Sequence, residues 1–352
     1  MNPTRRRGTA ILFAIALFTG TACGSSGEPS SKKPTPKGDT TAAAKTVAPL
    51  GELTITHPET LAFAAPFSLV ADDGPLSKVA DEVTDDTWST PDELRGLLTS
   101  GRSDVTAVPT YVGANLANKG VDVKMAAVTV WGLLYLIGPD GAVHDWDALR
   151  GQTVMMPFPN DMPDLVFRTV AKANGLEPGK DFTIENFATH QEAVMRLVTG
   201  KGQWAVLPEH VATVALAKAT EGGHGVQRVM NLQDEWAAVN GGSKRIPQAG
   251  LVVSAKVAAR PDVLAALLDE LDAAVATVNA ADETTVAELA DTFSLPERVV
   301  AEVIPRLNLD VVPAADARGE LETFFEKLAA ANPDILGGTL PSADFYLADP
   351  RS

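Results

Sequence analysis

The feature of this sequence that most constrains its fold is an internal repeat with a constant offset of 99 residues, which relates residues 90–111 to residues 189–210. Each copy begins with Thr-x-x-Glu, a capping box whose two side chains satisfy unpaired amides at the start of a helix. Apolar residues then follow at helical spacing, a glycine ends the helix, and a short β-rich run is closed by a proline. The repeat therefore predicts two related halves in which helices alternate with strands.

Strands that alternate with helices pair into parallel sheets covered by helices. Two further runs, 51–58 and 151–157, lie upstream of the two copies at nearly the same spacing, and each predicts a strand that enters a proline-containing turn. We therefore predict an α/β fold of two lobes, each a mostly parallel sheet flanked by helices, with a hinge between them. The run 248–253 predicts a strand that returns to the first lobe, whereas no helix or strand can be assigned within 61–88. The predicted boundaries are 50–137 plus 247–352 for lobe 1 and 138–246 for lobe 2.

The N-terminus has the pattern of an export signal. Three arginines at 5–7 precede an apolar run at 10–18 and small residues before Cys23, which is the single cysteine of the chain. The apolar run is too short to span a bilayer, which takes roughly 20 residues. The small residues before Cys23 resemble a bacterial lipobox, which implies removal of residues 1–22 and attachment of a diacylglyceryl group to the Cys23 thiol. An ordinary signal peptide is the alternative, and export by the general or the twin-arginine route stays open.

The segment after Cys23 is predicted to be a tether. Residues 24–48 are rich in Ser, Gly, Pro, Lys, Thr and Ala and hold almost no large apolar side chain. Such a segment buries too little surface to offset the conformational entropy that it would lose on ordering. We predict that residues 23–49 are a lipidated cysteine and a flexible tether, which anchor a globular body to the outer face of the cytoplasmic membrane.

Composition excludes several classes of function. The formal net charge of −16 argues against capture of nucleic acid through a basic face. A single cysteine permits no intramolecular disulfide and no cysteine-based zinc site. The five histidines include no HExxH pair, and neither the nucleophile motif GxSxG nor the phosphate-binding motif GxxxxGK[ST] occurs. We therefore predict no catalysis, no metal and no cofactor.

Several segments in a fixed order carry a resemblance to a known family. They are 147–154, 175–181, 192–200, 205–209 and 337–341, the last followed by Phe345-Tyr346. In this order they resemble the substrate-binding proteins of bacterial ABC importers, which are type II periplasmic binding proteins, and within them the nitrate, sulfonate, taurine and thiamine-precursor group. The resemblance implies a monomeric, hinged clamp that closes on a small molecule and delivers it to an ABC permease and its ATPase.

Ligands of open α/β sheets bind beyond the carboxyl ends of strands, in the loops that lead into helices. The two repeated prolines mark such strand ends, so we expect the loops after them to line one cleft between the lobes. Side chains in these loops and at the crossings between the lobes are the predicted ligand contacts: Pro58, Glu59, Thr110, Tyr111, Trp131, Asn160, Asp161, Glu209, His210 and Gln248. For most of them, helix capping or core packing is the alternative role.

The residue types at these positions suit an organic ligand. The Glu209 carboxylate would accept hydrogen bonds from a ligand, and Tyr111 and Trp131 offer aromatic faces. No Lys or Arg falls in the predicted cleft loops before Lys244, so an inorganic anion would be held by amides alone in a negatively charged protein. We therefore predict a sulfonate, an aromatic carboxylate or a pyrimidine-like compound.

Two alternative functions remain open from the sequence. One is an enzyme of the same fold, for which Glu209 and His210 form the single adjacent acid–imidazole pair in a predicted cleft loop. The other is a surface lipoprotein that binds another protein, which predicts a filled cleft and an exposed apolar patch.

Overall fold

The computed structural model describes residues 48–71 and 73–352. The predicted signal peptide, Cys23 and the tether as far as residue 47 lie outside the described residues, so their predicted roles stay predictions. None of the described helices combines the length and the apolarity that crossing a bilayer requires.

The described chain alternates strands and helices. The strands are β1 (Leu50–Pro58), β2 (Ala80–Trp88), β3 (Val105–Pro109), β4 (Val123–Val130), β5 (Leu134–Pro139), β6 (Thr153–Pro157), β7 (Thr183–Phe187), β8 (Trp204–Pro208), β9 (Val226–Asn231), β10 (Ala249–Ser254) and β11 (Leu309–Pro313). The α-helices are α1 (Leu61–Ser68), α2 (Pro91–Ser100), α3 (Thr110–Asn118), α4 (Met162–Ala173), α5 (His190–Val198), α6 (Glu209–Glu221), α7 (Leu232–Val239), α8 (Ala255–Ala258), α9 (Pro261–Ala280), α10 (Glu283–Thr292), α11 (Glu297–Val303) and α12 (Arg318–Ala331).

The strands form two sheets, in the orders β2-β1-β3-β10-β4-β11 and β7-β6-β8-β5-β9. In the first sheet β1 pairs in parallel with β2 and β3, while β10 and β11 are antiparallel to their neighbours. In the second sheet β6 pairs in parallel with β7 and β8, while β5 is antiparallel to β8 and β9. Most strands of each sheet therefore run in one direction, and the predicted α/β fold of two sheets flanked by helices is confirmed.

The same strand order occurs in both sheets. The order β2-β1-β3-β10-β4 of the first sheet corresponds to β7-β6-β8-β5-β9 of the second, and in each the fourth strand runs against the others. The reversed strand of the second sheet is β5, the first strand that the chain forms there. The reversed strand of the first sheet is β10, which the chain forms when it returns. The repeat seen in the sequence is therefore a repeat of topology.

The chain crosses between the sheets at two short segments that lie side by side. Strand β5 already belongs to the second sheet, so the first crossing lies at 131–133, earlier in the chain than the predicted boundary after residue 137. At the return crossing, Gln248 donates its backbone N–H to Val130 O (2.9 Å), and its side-chain Oε1 accepts from Leu133 N (3.1 Å). The extent of each lobe as a separate domain stays a prediction.

Both repeated helix starts are capped by their threonines, but only the second forms the complete predicted capping box, because at α2 the Glu93 carboxylate accepts from Ser89 N (2.8 Å). Thr90 Oγ1 accepts a hydrogen bond from Glu93 N (3.2 Å) at the start of α2. At the start of α5, Thr189 Oγ1 accepts from Glu192 N (3.4 Å), while the Glu192 carboxylate accepts from Thr189 N (3.2 Å), which is a complete capping box.

The segment that could not be assigned from the sequence contains α1 and β2. Helix α1 is buried around most of its circumference, so its apolar residues show no helical periodicity. Strand β2 lies at the edge of the first sheet and carries mostly exposed polar and acidic side chains. Charged residues on an edge strand oppose pairing with another chain, and they hide the apolar alternation of a half-buried strand.

One apolar cluster connects the cores of the two sheets. It includes Val108 of β3 and Met156 of β6, and it continues through Phe324 of α12 to Trp236 of α7. The Phe324 and Trp236 rings lie 5.9 Å apart in an edge-to-face arrangement, and both side chains are fully buried. This packing orients the strand ends of the two sheets relative to each other.

Candidate functional site

A cavity of about 380 Å³ lies between elements that follow strands of both sheets. The first sheet contributes the turn from β1 into α1, with Glu59 and Leu61. The second sheet contributes the first turns of α5 and α6, with His190 and His210. The cavity therefore begins at the helix starts beyond the carboxyl ends of strands, where ligands bind in α/β proteins, and extends along α5 and α6 as far as Val198 and Lys218.

The walls of the cavity are mainly apolar. Helix α5 presents Val194 and Val198, and helix α6 presents Val211 and Val214. Residues three or four apart lie on one face of a helix, so each helix turns one apolar face to the cavity. The turn between α10 and α11, at 293–295, adds a phenylalanine and a leucine.

Two imidazoles contribute to the polar part of the cavity lining, together with the side chains of Thr60 and Gln191. Burial lowers the pKa of His190 to about 4 and that of His210 to about 3, and His190 further opposes protonation of His210. Both rings are therefore neutral at pH 7. The Nδ1 atom of His210 is buried and has no hydrogen-bond partner within the described residues. A buried polar atom without a partner costs about 1–3 kcal/mol of stability.

Elsewhere the loops of the two sheets touch directly. Tyr111, at the start of α3, is buried, and its pKa is raised well above its usual value by burial and by the nearby Asp161 carboxylate. Asn332, which follows α12, donates its Nδ2 to Asn160 O (3.2 Å). The predicted residues Tyr111, Asn160 and Asp161 therefore lie at the junction of the two sheets, where these contacts hold the loops together.

Of the ten predicted ligand residues, Glu59 and His210 line the cavity. Pro58 is buried, and its carbonyl accepts the Thr60 N–H (2.8 Å) in the turn that leads to α1. Thr110 is fully buried, and its N–H donates to Gln248 O (3.1 Å). Pro58 thus shapes the backbone next to the cavity, while Thr110 and Gln248 join β3 to the return crossing, and the predicted contacts of all three with a ligand stay predictions.

Trp131 lies at the first crossing. Its indole Nε1 donates to Asp310 O (2.9 Å), and the Arg245 guanidinium stacks 3.4 Å from the ring centroid. Because only 3% of Trp131 is exposed, its ring faces are occupied by the protein.

Glu209 is bound inside the second half of the molecule. Its carboxylate accepts from Arg228 Nε (2.9 Å) and Nη2 (2.5 Å) and from Thr213 Oγ1 (2.7 Å). Burial raises the pKa of this fully buried carboxyl, while the hydrogen bonds from Arg228 and Thr213 oppose the shift. The acceptor oxygens expected to meet a ligand are therefore occupied, and the carboxylate pairs with Arg228 rather than with His210.

The loop before α4 is held by its own side chains. Asp161 caps the helix by accepting from Met162 N (2.7 Å), and Asp164 accepts from Asn160 N (2.9 Å) while pairing with Arg168 (2.6 Å). Asn160 has a φ of 62°, in the left-handed region that asparagine tolerates better than most residues. The amides at this helix start are therefore partly occupied by carboxylates of the protein.

Most residues of the cavity wall carry no signal in the sequence. His190 follows the capping threonine directly, so its place at a helix start was visible, but nothing in the sequence distinguished it from an exposed first-turn residue. The valines of α5 and α6 have the spacing of ordinary core residues. Phe293 and Leu295 are distant in the chain and carry no signal that places them beside α6.

Comparison with solved structures identifies the fold. No protein-family model matches the chain, and no curated protein matches it. Among solved structures, an ABC transporter protein from Parabacteroides distasonis superposes with a TM-score of 0.70 and 20% identity, over 85% of this chain and 99% of that chain. The periplasmic aliphatic sulphonate-binding protein from Escherichia coli gives a TM-score of 0.62 and 15% identity, over 83% and 92%. The periplasmic nitrate-binding protein from Synechocystis gives a TM-score of 0.58 and 14% identity, over 86% and 93%.

These structures define the class of fold. The chain has the two-sheet fold of the periplasmic binding proteins of ABC transporters, as the resemblance in the sequence predicts. The TM-scores show the shared fold. Because the sequence identities are 20% or lower, the ligand has to be argued from the cavity of this chain.

Proposed function

We propose that this chain is an extracytoplasmic solute-binding protein that captures a small organic molecule between its two sheets and delivers it to an ABC permease and its ATPase. The observation that carries the proposal is the cavity, because elements that follow strands of both sheets contribute to its walls. A ligand held there contacts both halves and favours their closed arrangement by its differential affinity for it. The shared fold supports the same function.

The finer parts of the proposal rest on the sequence. Cys23 is the proposed lipid attachment site that holds a monomer at the outer face of the cytoplasmic membrane. The proposed ligand classes are sulfonates, aromatic carboxylates and pyrimidine-like compounds.

Binding without turnover is the proposed activity, rather than catalysis. An enzyme of this fold would pair a nucleophile or a base with an orienting group in the cavity. The Glu209 carboxylate, which would have to orient His210, is bound to Arg228 and Thr213 instead.

A thermal-shift screen of the full chain tests the proposal, with the three ligand classes, nitrate and bicarbonate as probes. A ligand present at 100 times its dissociation constant stabilises the protein by about 2.7 kcal/mol. Val214→Trp fills the cavity and should abolish the shift, whereas the matched control Val143→Trp, at a side chain that is 66% exposed, should retain it. If no probe raises the melting temperature, or if Val214→Trp leaves the shift intact, the proposed function fails.

A further inference from the structure

The cavity of this chain is poorly suited to an anion, although two of the similar structures are named for sulphonate and nitrate. Its two charged side chains, Glu59 and Lys218, are exposed and opposite in sign. Within the described residues, its lining contains no arginine, and both imidazoles inside it are neutral at pH 7. A buried sulfonate or carboxylate would therefore lose its hydration without meeting a buried cation.

The helix starts around the cavity also lack the positive potential that attracts anions. Glu59 precedes α1, Glu192 lies in the first turn of α5, where a carboxylate complements the helix dipole, and Glu209, which begins α6, is paired with Arg228. The Glu192 carboxylate also accepts the backbone N–H groups of Ala188 (2.9 Å) and Thr189 (3.2 Å). The amides of Ala188 and Thr189, just before this helix, are thus occupied by the protein.

The remaining lining suits an apolar molecule with one polar group. The valines of α5 and α6 form two facing apolar walls, and the rim continues to Phe158, whose ring lies 4.8 Å from that of His190. The imidazole of His210, which lines the cavity and whose Nδ1 has no partner within the described residues, is a polar group beside these apolar side chains, together with the side chains of Thr60 and Gln191. A neutral imidazole nitrogen either accepts or donates, depending on its tautomer.

We propose that the cavity binds an uncharged, largely apolar organic molecule through these valine walls and one hydrogen bond to His210. This inference rests on the proposed function and narrows its ligand, since an uncharged ring compound fits the cavity better than a sulfonate does.

Two fluorescent probes that share one ring system test the inference on the full chain. N-phenylnaphthylamine is uncharged and carries one N–H group, whereas anilinonaphthalene sulfonate adds a sulfonate to the same rings. We expect N-phenylnaphthylamine to bind at least about tenfold more tightly, because the sulfonate has no buried cation to pair with. Taurine and ethanesulfonate should not displace it.

Variants locate the probe in the cavity. Val214→Asp places a carboxylate on the apolar wall and should weaken N-phenylnaphthylamine by at least about tenfold, whereas Val143→Asp, on the exposed surface, should not. His210→Leu removes the hydrogen bond and should weaken it about fivefold, while His210→Asn retains a polar atom near Nδ1 and most of the affinity. His224→Leu, the same substitution at an exposed histidine, is the control.

The outcomes separate the two proposals. Tighter binding of the sulfonated probe, displacement by taurine, or unchanged binding in Val214→Asp overturns the inference on ligand chemistry. If a sulfonate stabilises the chain and Val214→Trp abolishes that shift, the proposed function stands while the inference falls. If neither fluorescent probe binds, the inference also falls, and the thermal-shift screen alone then decides on the function.

Discussion

The starts of α3 and α6 occupy equivalent places in the two halves, yet they differ in what their side chains do. In the first half, Thr110 is buried against the returning crossing, and Tyr111 lies beside Asp161 at the junction of the sheets. In the second half, Glu209 forms a buried ion pair with Arg228, and His210 lines the cavity. Both copies of the repeat thus contain the strand, the proline and the helix start. The side chains at the helix start differ, so that those of the first half pack at the junction of the sheets and those of the second half include a cavity residue.

The largest expected difference between the two helix starts lies in stability. Arg228→Met removes two hydrogen bonds and the nearest charge from the buried Glu209 carboxylate, which keeps Thr213 and the Arg306 guanidinium at 3.7 Å, so we expect a loss of about 3 kcal/mol in the free energy of unfolding. Urea denaturation measures this loss, and Arg298→Met, at an exposed pair with Glu221 at 3.8 Å, should cost less than about 1 kcal/mol. A loss below 1 kcal/mol for Arg228→Met would show that Glu209 is not anchored as described.

The second-largest expected effect is a pH dependence of the free energy of unfolding, which comes from the two histidines at the cavity. The unfolded chain takes up protons near the ordinary histidine pKa of about 6.5, whereas the folded chain protonates His190 only near 4 and His210 only near 3. The stability that these neutral rings contribute is therefore complete above pH 6.5 and is lost as the pH falls toward 4. Between pH 7 and pH 5 we expect a loss of about 1–2 kcal/mol for each histidine.

Replacement of the histidine isolates this dependence. His210→Asn should remove one part of the pH slope when the free energy of unfolding is measured at pH 7 and pH 5, whereas His224→Asn should leave the slope unchanged. The charges of Glu59 and Lys218 at the cavity remain in both variants, so they cancel in the comparison. An identical slope in His210→Asn and the unmodified chain would contradict the burial of His210.

The smallest expected effect concerns the equivalent helix start of the first half. Thr110→Val removes the hydroxyl that donates to Pro247 O (2.5 Å), so we expect a loss of about 1 kcal/mol that does not change between pH 7 and pH 5. The control is Thr220→Val, at an exposed hydroxyl on α6, which should change stability by less than about 0.5 kcal/mol. A Thr110→Val effect no larger than the control would remove the distinction between the two helix starts.

Much of the fold could be predicted because its signals are local. The capping boxes, the closing prolines and the returning strand at 248–253 all lie in short segments whose chemistry acts within a few residues. Helix α1 could not be predicted, because a helix that is buried on most sides shows no periodicity, and β2 could not, because its edge position leaves it polar. The sequence shows no break at the crossing near 131, because β5 continues the apolar run of β4.

Residues of the candidate cavity could be predicted only in the loops that follow the carboxyl ends of strands. That rule led to Glu59 and His210, which line the cavity. It also led to Glu209, whose partner Arg228 lies 19 residues farther along on β9, and nothing local shows that the two side chains meet. The valines of α5 and α6 could not be assigned to the cavity, because an apolar helix face has the same sequence pattern whether it packs on a core or lines a cavity.

A crystal structure of the full chain with N-phenylnaphthylamine tests most directly whether the space between the sheets is the binding site. We predict that the rings lie between Val194 and Val214, that they contact Leu61 of the first half, and that the N–H group faces His210. Rings bound on one half alone, away from the turn between β1 and α1, would contradict the central claim.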